Sequence, residues 1–261
     1  MNDPASGAPK LSALVVARNE ETRLPDCLAT LTFADEIVVV LDRTIDRSAE
    51  IARRFRARVI EGAWDIEGAR RNTGIEACAG DWILEVDADE RVPSALAQEI
   101  RRVIATSRFA RHLIPVDNYV GKRLVRYGWG AGFGKSAAYA LYRKGTKSWG
   151  ADRVHPALTF TGEAGPSLAS RLDHYVDRDI SDMIKRLDRY STAKAADLVA
   201  KGDIGTFGHN VRRIFSRFLK CYISRKGYRE GRYGFLVALM AGLFPLMSHL
   251  KARELQEDKR E

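Results

Sequence analysis

The residues best suited to chemistry are Asp87 and Asp89, in the stretch Gly80–Glu90, GDWILEVDADE. Trp82, Ile83, Leu84 and Val86 form a short apolar run bounded by Gly80-Asp81 and Arg91-Val92-Pro93, the pattern of a buried strand whose far end runs into acid. Side chains alternate faces along a strand, so two aspartates two positions apart point the same way. Neighbouring carboxylates repel unless a cation lies between them. Mg²⁺ or Mn²⁺ takes oxygen ligands of this kind and leaves positions open for substrate phosphates. A solvated acidic strand exit is the alternative. The position of the pair after a core strand, mid-chain in an α/β pattern, favours the metal.

The elements around this pair follow the same logic. Leu11–Ala17 reads as a buried strand followed at once by Arg18-Asn19-Glu20-Glu21, and Leu24, Leu28 and Leu31 recur at helical spacing over Glu21–Leu31. Ile37–Leu41 is a continuous β-branched run of the kind buried on both faces of a parallel sheet, and it ends in Asp42-Arg43-Thr44-Ile45-Asp46. A helix is expected over Ser48–Arg56, a third strand over Arg58–Glu61, and a helix bearing Arg70, Arg71 and Asn72 over Gly68–Ala77. Alternating strands and helices imply βαβ units and a mostly parallel sheet, whose ligands bind at the carboxyl ends of the strands. Each polar cluster named here falls at such an end or in the helix beyond it.

Pro93–Thr106 reads as a helix, and Arg108 to about Leu172 as shorter β-like segments rich in Gly, Tyr and Trp. Tyr127–Gly134 has the composition of a loop that lines or covers a site, with a plain surface loop as the alternative. His155 lies in Trp149–Leu158, and a lone histidine is more often structural than a ligand. Asp179–Ala200 returns to helix. From about Asn210 eight Lys and Arg residues interleave with aromatic and aliphatic ones, followed by the apolar run Phe235–Met247. That run is shorter than a bilayer span, and a basic amphipathic stretch followed by a short apolar helix suits an anionic membrane interface. Packing on the body or on a second subunit, as a homo-oligomer contact, is the alternative. The expected division is a flexible 1–10, an enzyme domain over 11–205, and a basic, apolar helical region over 206–261.

With 261 residues the chain can bury a sizeable core, and a formal charge of +9 suits an acidic partner: nucleic acid, anionic lipid or a phosphorylated substrate. Cys27, Cys78 and Cys221 are too widely spaced for a zinc site or disulfide framework, which points to a reducing compartment. The N-terminal MNDPASGAPK has no apolar core of a secretory signal. No nucleic-acid-binding motif is present, so nucleic acid is not an expected partner.

Five segments resemble family 2 glycosyltransferases of the GT-A fold, and within them the bacterial lipopolysaccharide-core subgroup. They are ALVVARNEE at Ala13–Glu21, ADEIVVV at Ala34–Val40, TIDRSAEIA at Thr44–Ala52, ARRNTGIEACAGDWILEVDADE at Ala69–Glu90 and LDHY at Leu172–Tyr175. The resemblance implies an α/β, Rossmann-like sheet flanked by helices with a C-terminal helical extension, and a nucleotide-sugar site. Ala17, Arg18 and Glu20 would line the nucleotide pocket, Asp42 would lie near the base, and Arg70 and Asn72 would contact the nucleotide or its phosphates. Asp87 and Asp89 would hold a divalent metal, Mg²⁺ or Mn²⁺, bridging the diphosphate, with Asp87 also on the donor and His155 or His174 completing the shell. Such an enzyme inverts configuration in one displacement and needs a base for the acceptor hydroxyl.

Two departures stand out. Relatives usually read VDSGSTD where this chain reads VLDRTID, which moves the first acid to Asp42 and puts Arg43 in place of small residues. Relatives often carry Val-His-Glu where this chain has Val154-His155-Pro156; if that glutamate contributes to catalysis in them, the base here comes from elsewhere, with Asp152 as the candidate and Glu163 and Asp117 as other acids. The expectation is transfer from a nucleotide sugar to a lipid-linked glycan, in lipopolysaccharide or other envelope synthesis at the inner face of the bacterial cytoplasmic membrane. Transfer to a polyprenyl phosphate, and a degenerate protein that binds without catalysing, are the alternatives.

Overall fold

The computed structural model describes residues 7–130, 133–150 and 157–258. In chain order the first elements are β1 (Leu11–Ala17), α1 (Leu24–Ala29), β2 (Glu36–Asp42), α2 (Ser48–Arg54), β3 (Arg58–Gly62), α3 (Glu67–Ala77), β4 (Trp82–Val86), β5 (Glu90–Arg91) and α4 (Ser94–Thr106). There follow β6 (Arg111–Val120), β7 (Arg123–Val125), β8 (Ala137–Arg143), β9 (Lys147–Trp149), β10 (Leu158–Phe160), β11 (Leu172–Asp177), α5 (Ile180–Lys201), α6 (Phe207–Leu219) and α7 (Arg232–Glu257). The chain forms two compact units, Met1–Val116 with Ala137–His174, and Asp117–Ser136 with Tyr175–Glu261.

In the first unit the sheet is ordered β3-β2-β1-β4-β8-β6-β11-β5. β3, β2, β1 and β4 run parallel, with Leu14 opposite Val38 on one side and Glu85 on the other. β8 then joins β4 antiparallel. Every residue of β1 and β4 is buried, as strands covered on both faces must be. One face packs Leu24, Leu28 and Leu31 with Val39, Trp82 and Leu84; the other packs Ile75 and Cys78 on Leu14, Val38 and Ile83. Ser12, buried in β1, is satisfied by the Glu36 carboxylate and by Gly80 N, which donates to its Oγ at 2.8 Å. That bond ties the start of β4 to β1. Gly74 lets α3 lie close on the sheet, because a Cβ there would come within 2.6 Å of Leu14 Cδ1. The α/β expectation is met.

The second unit is mainly helical. Its core joins Val120, Val125, Trp129 and Phe133 to Met183 and Leu187 of α5 and Val237 and Met240 of α7. Asp179 caps α5 by accepting from Asp182 N at 2.8 Å, and Gly202 ends it in the left-handed region, φ +69°. Within the aromatic, Gly-rich segment Trp129 and Phe133 are buried, 3% and 1% exposed. Trp129 O accepts from Arg225 Nη1 at 2.5 Å. These two rings supply core volume where the composition suggested a loop lining or covering a site, or a plain surface loop. The apolar run at Phe235–Met247 extends into α7, 26 residues continuing through Pro245. Among the described residues α7 is the one helix long and apolar enough to cross a membrane, and half of its apolar window is buried in the protein.

Candidate functional site

The loops after β1 and β2 are bonded to one another. Asn19, left-handed at φ +54°, accepts from Ile45 N at 2.9 Å through Oδ1. Glu20 N donates to Ser48 Oγ at 3.0 Å, and Glu21 N to Asp46 Oδ2 at 2.9 Å. Burial pushes the Asp46 carboxyl up, but donation from Ser48 and Glu21 outweighs it and holds it below the usual range. Ala17 is buried at the end of β1, and Arg18 beside it is exposed.

Asp42 closes β2 and is 5% exposed. Its Oδ2 lies 3.3 Å from Arg70 Nη1, and its Oδ1 accepts from Trp64 N at 3.0 Å. The next residue, Arg43, has φ +47°, a conformation in which an L side chain is unusual. Its guanidinium folds back onto Trp64 O and Asp65. The backbone here therefore keeps the shape that small residues allow, with the bulk turned aside.

β4 ends at Val86, and the aspartates occupy a tight turn rather than a continued strand. Glu90 N donates to Asp87 O at 2.9 Å, and Asp87 N to Glu90 Oε2 at 2.9 Å. Strand alternation thus stops one residue short of the pair. Ala88 is buried between the two carboxylates, whose side chains are 36% and 23% exposed. Each has its own basic neighbours. Asp87 Oδ1 lies 3.5 Å from Arg71 Nη2; Asp89 Oδ2 lies 3.7 Å from Arg23 Nη1 and 3.4 Å from Nε2 of His174, a β11 residue opposite Glu90. No group of three His, Cys, Asp or Glu is assembled as a metal cage among the described residues. Two half-exposed carboxylates with an imidazole beside one of them make a hard, open donor set. That fits a cation that takes its other ligands from a phosphate.

Glu85 in mid-β4, which reading the strand as an apolar run passes over, organises the ground beneath the turn. It is 8% exposed and meets Arg71 Nη1 at 2.5 Å, Lys147 Nζ, and Tyr142 OH at 3.1 Å. A lone buried carboxylate would be prohibitively costly; three partners make it tolerable. Burial raises the Glu85 carboxyl, yet Lys147 and Arg71 together hold it below its ordinary value, while burial lowers the Lys147 ammonium and raises the Tyr142 phenol. Arg71 also stacks on Trp149, 5.1 Å from the ring centroid. The signal available in the sequence was a charge interrupting WILEV.

The three polar residues of α3 diverge. Arg70 goes to Asp42 and Arg71 to Glu85 and Asp87. Both ends of the Asn72 carboxamide are spent on Trp149: Nδ2 donates to its carbonyl at 2.8 Å, and Oδ1 accepts from its N–H at 2.9 Å. Successive helix residues are about 100° apart, so three in a row cannot face one pocket. The site therefore brings Asp42, Arg70, Asp87 and Asp89 to the strand ends, with Ala17 closing β1 and Glu20 in the loop beyond it. Asp152 and His155 lie outside the described residues.

Residues 12–141 match the model of glycosyl transferase family 2. The chain is 25% identical over 258 residues to the lipopolysaccharide core biosynthesis glycosyltransferase LpsC of Rhizobium meliloti, covering 92% of this chain and 91% of that protein. It is equally 25% identical to an uncharacterized glycosyltransferase of Rickettsia typhi, over 94% of this chain and 87% of the relative. The crystal structure of S. aureus TarS, 14% identical, superposes over 96% of this chain and 91% of its own with a TM-score of 0.50, a likeness of GT-A fold. With this match and relatives aligned along nearly their whole length, the chain belongs to glycosyl transferase family 2 and is a glycosyltransferase of the GT-A fold.

Proposed function

We propose that the protein moves a sugar, with inversion, from a nucleotide-sugar donor to a hydroxyl of a lipid-linked glycan in lipopolysaccharide or other cell-envelope synthesis. The observation that carries this reading is the pair Asp87 and Asp89 in the turn after β4, each carboxylate with a cation on its own side. Asp87 and Asp89 would hold a Mg²⁺ or Mn²⁺ ion, with His174 beside Asp89. Such an ion, when bound, offsets the charge that develops on the departing diphosphate. Arg70, paired to Asp42, and Arg71 add positive charge at the same strand ends. Ala17, Arg18 and Glu20 would line the nucleotide pocket, and Asn72 would act by fixing Trp149 against α3. In the displacement the acceptor oxygen bonds to the anomeric carbon as the carbon–oxygen bond to the diphosphate breaks, the electron pair leaving with the diphosphate. The hydroxyl proton passes to a carboxylate, for which Asp152 is the candidate.

The region 206–261 would rest on an anionic membrane surface at the inner face of the cytoplasmic membrane. Between 207 and 232 it carries eight Lys and Arg against Glu230 alone. Phe215, Leu219 and Ile223 are 66%, 55% and 55% exposed among these cations. Transfer to a polyprenyl phosphate is the second reading, favoured by the length and composition of α7. Incubating the protein and Mn²⁺ with each common nucleotide sugar, then assaying release of nucleoside diphosphate with lipid-extracted acceptor, tests the proposal. Release from one donor, dependent on acceptor and lost in Asp89→Asn, is expected; acceptor-independent release, or none, contradicts it.

A further inference from the structure

In the helical unit α5, α6 and α7 line a cavity of about 330 Å³. Lys194 of α5 and His209, Arg213 and Arg217 of α6 reach it, together with the apolar Leu198 and Phe244. Its lining has one acid, Asp203, whose carboxylate is engaged in its own turn by accepting from Gly205 N at 3.1 Å. Arg213 lies 3.5 Å from the Oδ1 of buried Asn210, and among the described residues neither Arg213 nor Arg217 forms an ion pair. Elsewhere in the same unit the buried Arg186 guanidinium is matched by Asp177 at 2.6 Å, and even the exposed Arg126 meets buried Asp117 at 2.7 Å. Arg217 has the opposite surroundings. Burial, Arg213 and Arg225 all disfavour its charge and lower it from its ordinary value. Half-buried cations that outnumber the one acid of a partly apolar cavity, and pair with none, stay undercompensated until an anion enters.

We propose that this cavity binds a phosphate group carried on an apolar chain, the chemistry of a phosphorylated lipid. Arg213 and Arg217 are four residues apart on one face of α6 and present fork-shaped donors suited to phosphate oxygens. Leu198 and Phe244 supply the apolar wall for the first carbons of the chain. On another side of α6, exposed Phe215 and Leu219 would meet the surrounding acyl region. The identity of this ligand as part of the acceptor's lipid anchor, or of the membrane bearing it, rests on the lipid-linked reading above; the binding itself does not.

The test is calorimetric titration of the full chain with inorganic phosphate, with dodecyl phosphate below its micellar concentration, and with neutral dodecyl maltoside. Dodecyl phosphate should bind about tenfold or more tighter than inorganic phosphate, and the maltoside should not compete. Arg213→Gln with Arg217→Gln should weaken it about tenfold or more, and Arg213→Lys with Arg217→Lys, which keeps the charge but not the fork, should weaken it less. Lys194→Gln, a change on a partly exposed side chain that does not threaten folding, should weaken it in the same direction. No binding of dodecyl phosphate, equal affinity for inorganic phosphate, or unchanged affinity in the charge-removing variants would overturn the proposal. Titrating UDP and Mn²⁺ on the same samples separates the two readings: nucleotide binding without amphiphile binding sinks this one alone, and the reverse sinks the donor site alone.

Discussion

Arg71 joins a buried carboxylate to an exposed one: Nη1 is 2.5 Å from Glu85 Oε1, and Nη2 is 3.5 Å from Asp87 Oδ1. Its own charge is disfavoured by burial, yet Asp87 and Glu85 more than compensate and raise it. The aspartate at the head of the turn is thus aimed by a guanidinium fixed from below. Arg71→Met should lower kcat/KM by about 10²-fold, the scale of losing one preorganised charge donor. Steady-state kinetics at varied donor should show the loss in both kcat and KM, and an unchanged kcat/KM would contradict the role.

Glu85 and Lys147 are 7% and 5% exposed at their side chains, so removing one member leaves the other buried without its charge partner. Glu85→Gln should destabilise the protein by about 3–5 kcal/mol. The double change Glu85→Met, Lys147→Met should recover most of that, because neither desolvated charge remains. Urea unfolding of the single Glu85→Met, the single Lys147→Met and the double variant closes the cycle.

Stability should fall in acid for a definite reason. Asp46, Glu36 and Glu85 are all held below their ordinary values by hydrogen bonds and cations that outweigh burial. In the unfolded chain they take up protons first, at about pH 4. Their contribution is therefore complete above that range and is lost as pH drops towards the folded values. Urea midpoints between pH 7 and pH 3 should decline, and Asp46→Asn should flatten part of the slope.

Gly74 should not tolerate a methyl group. A Cβ would lie 2.6 Å from Leu14 Cδ1 and 3.0 Å from Val40 Cγ2, so either the buried Leu14 side chain or α3 must shift. Gly74→Ala should cost about 1–3 kcal/mol by overpacking, despite alanine's better helix propensity. Thermal midpoints read this directly, and a stabilised variant would refute the close approach.

Much of the first unit was legible because its signals are local. Ile37–Leu41 could be little but a buried strand, and β2 extends it only to Glu36 and Asp42. The acids at the end of β4 were equally plain, but not the turn that Glu90 closes, which depends on a side chain bonding three residues back. Long-range pairing hid the rest. Lys147 reaches Glu85 across 62 positions, and Asn72 reaches Trp149 across 77; nothing in the spacing of either residue announces its partner. In α3 the motif was visible, whereas the direction each side chain takes follows from helix rotation and the neighbours it meets. At the other end, α7 outruns its apolar stretch because helix geometry tolerates polar residues and, with packed neighbours, Pro245. Arg43 shows the converse case: a bulky residue disguised a backbone that remains left-handed.

On the proposed function, the Asp87–Asp89 turn would hold a nucleotide-sugar donor through a divalent metal. The most direct measurement is the thermal midpoint of wild type, Asp87→Asn and Asp89→Asn against nucleoside diphosphates and their sugars, with and without Mn²⁺. Ligands that bind the folded state raise the midpoint, so wild type should shift for one base, only with metal, by an amount equivalent to about 2.7 kcal/mol at a hundredfold excess over Kd. Both variants should lose that shift while keeping their unliganded midpoints. An equal shift in wild type and variants, or one indifferent to metal, would contradict the account.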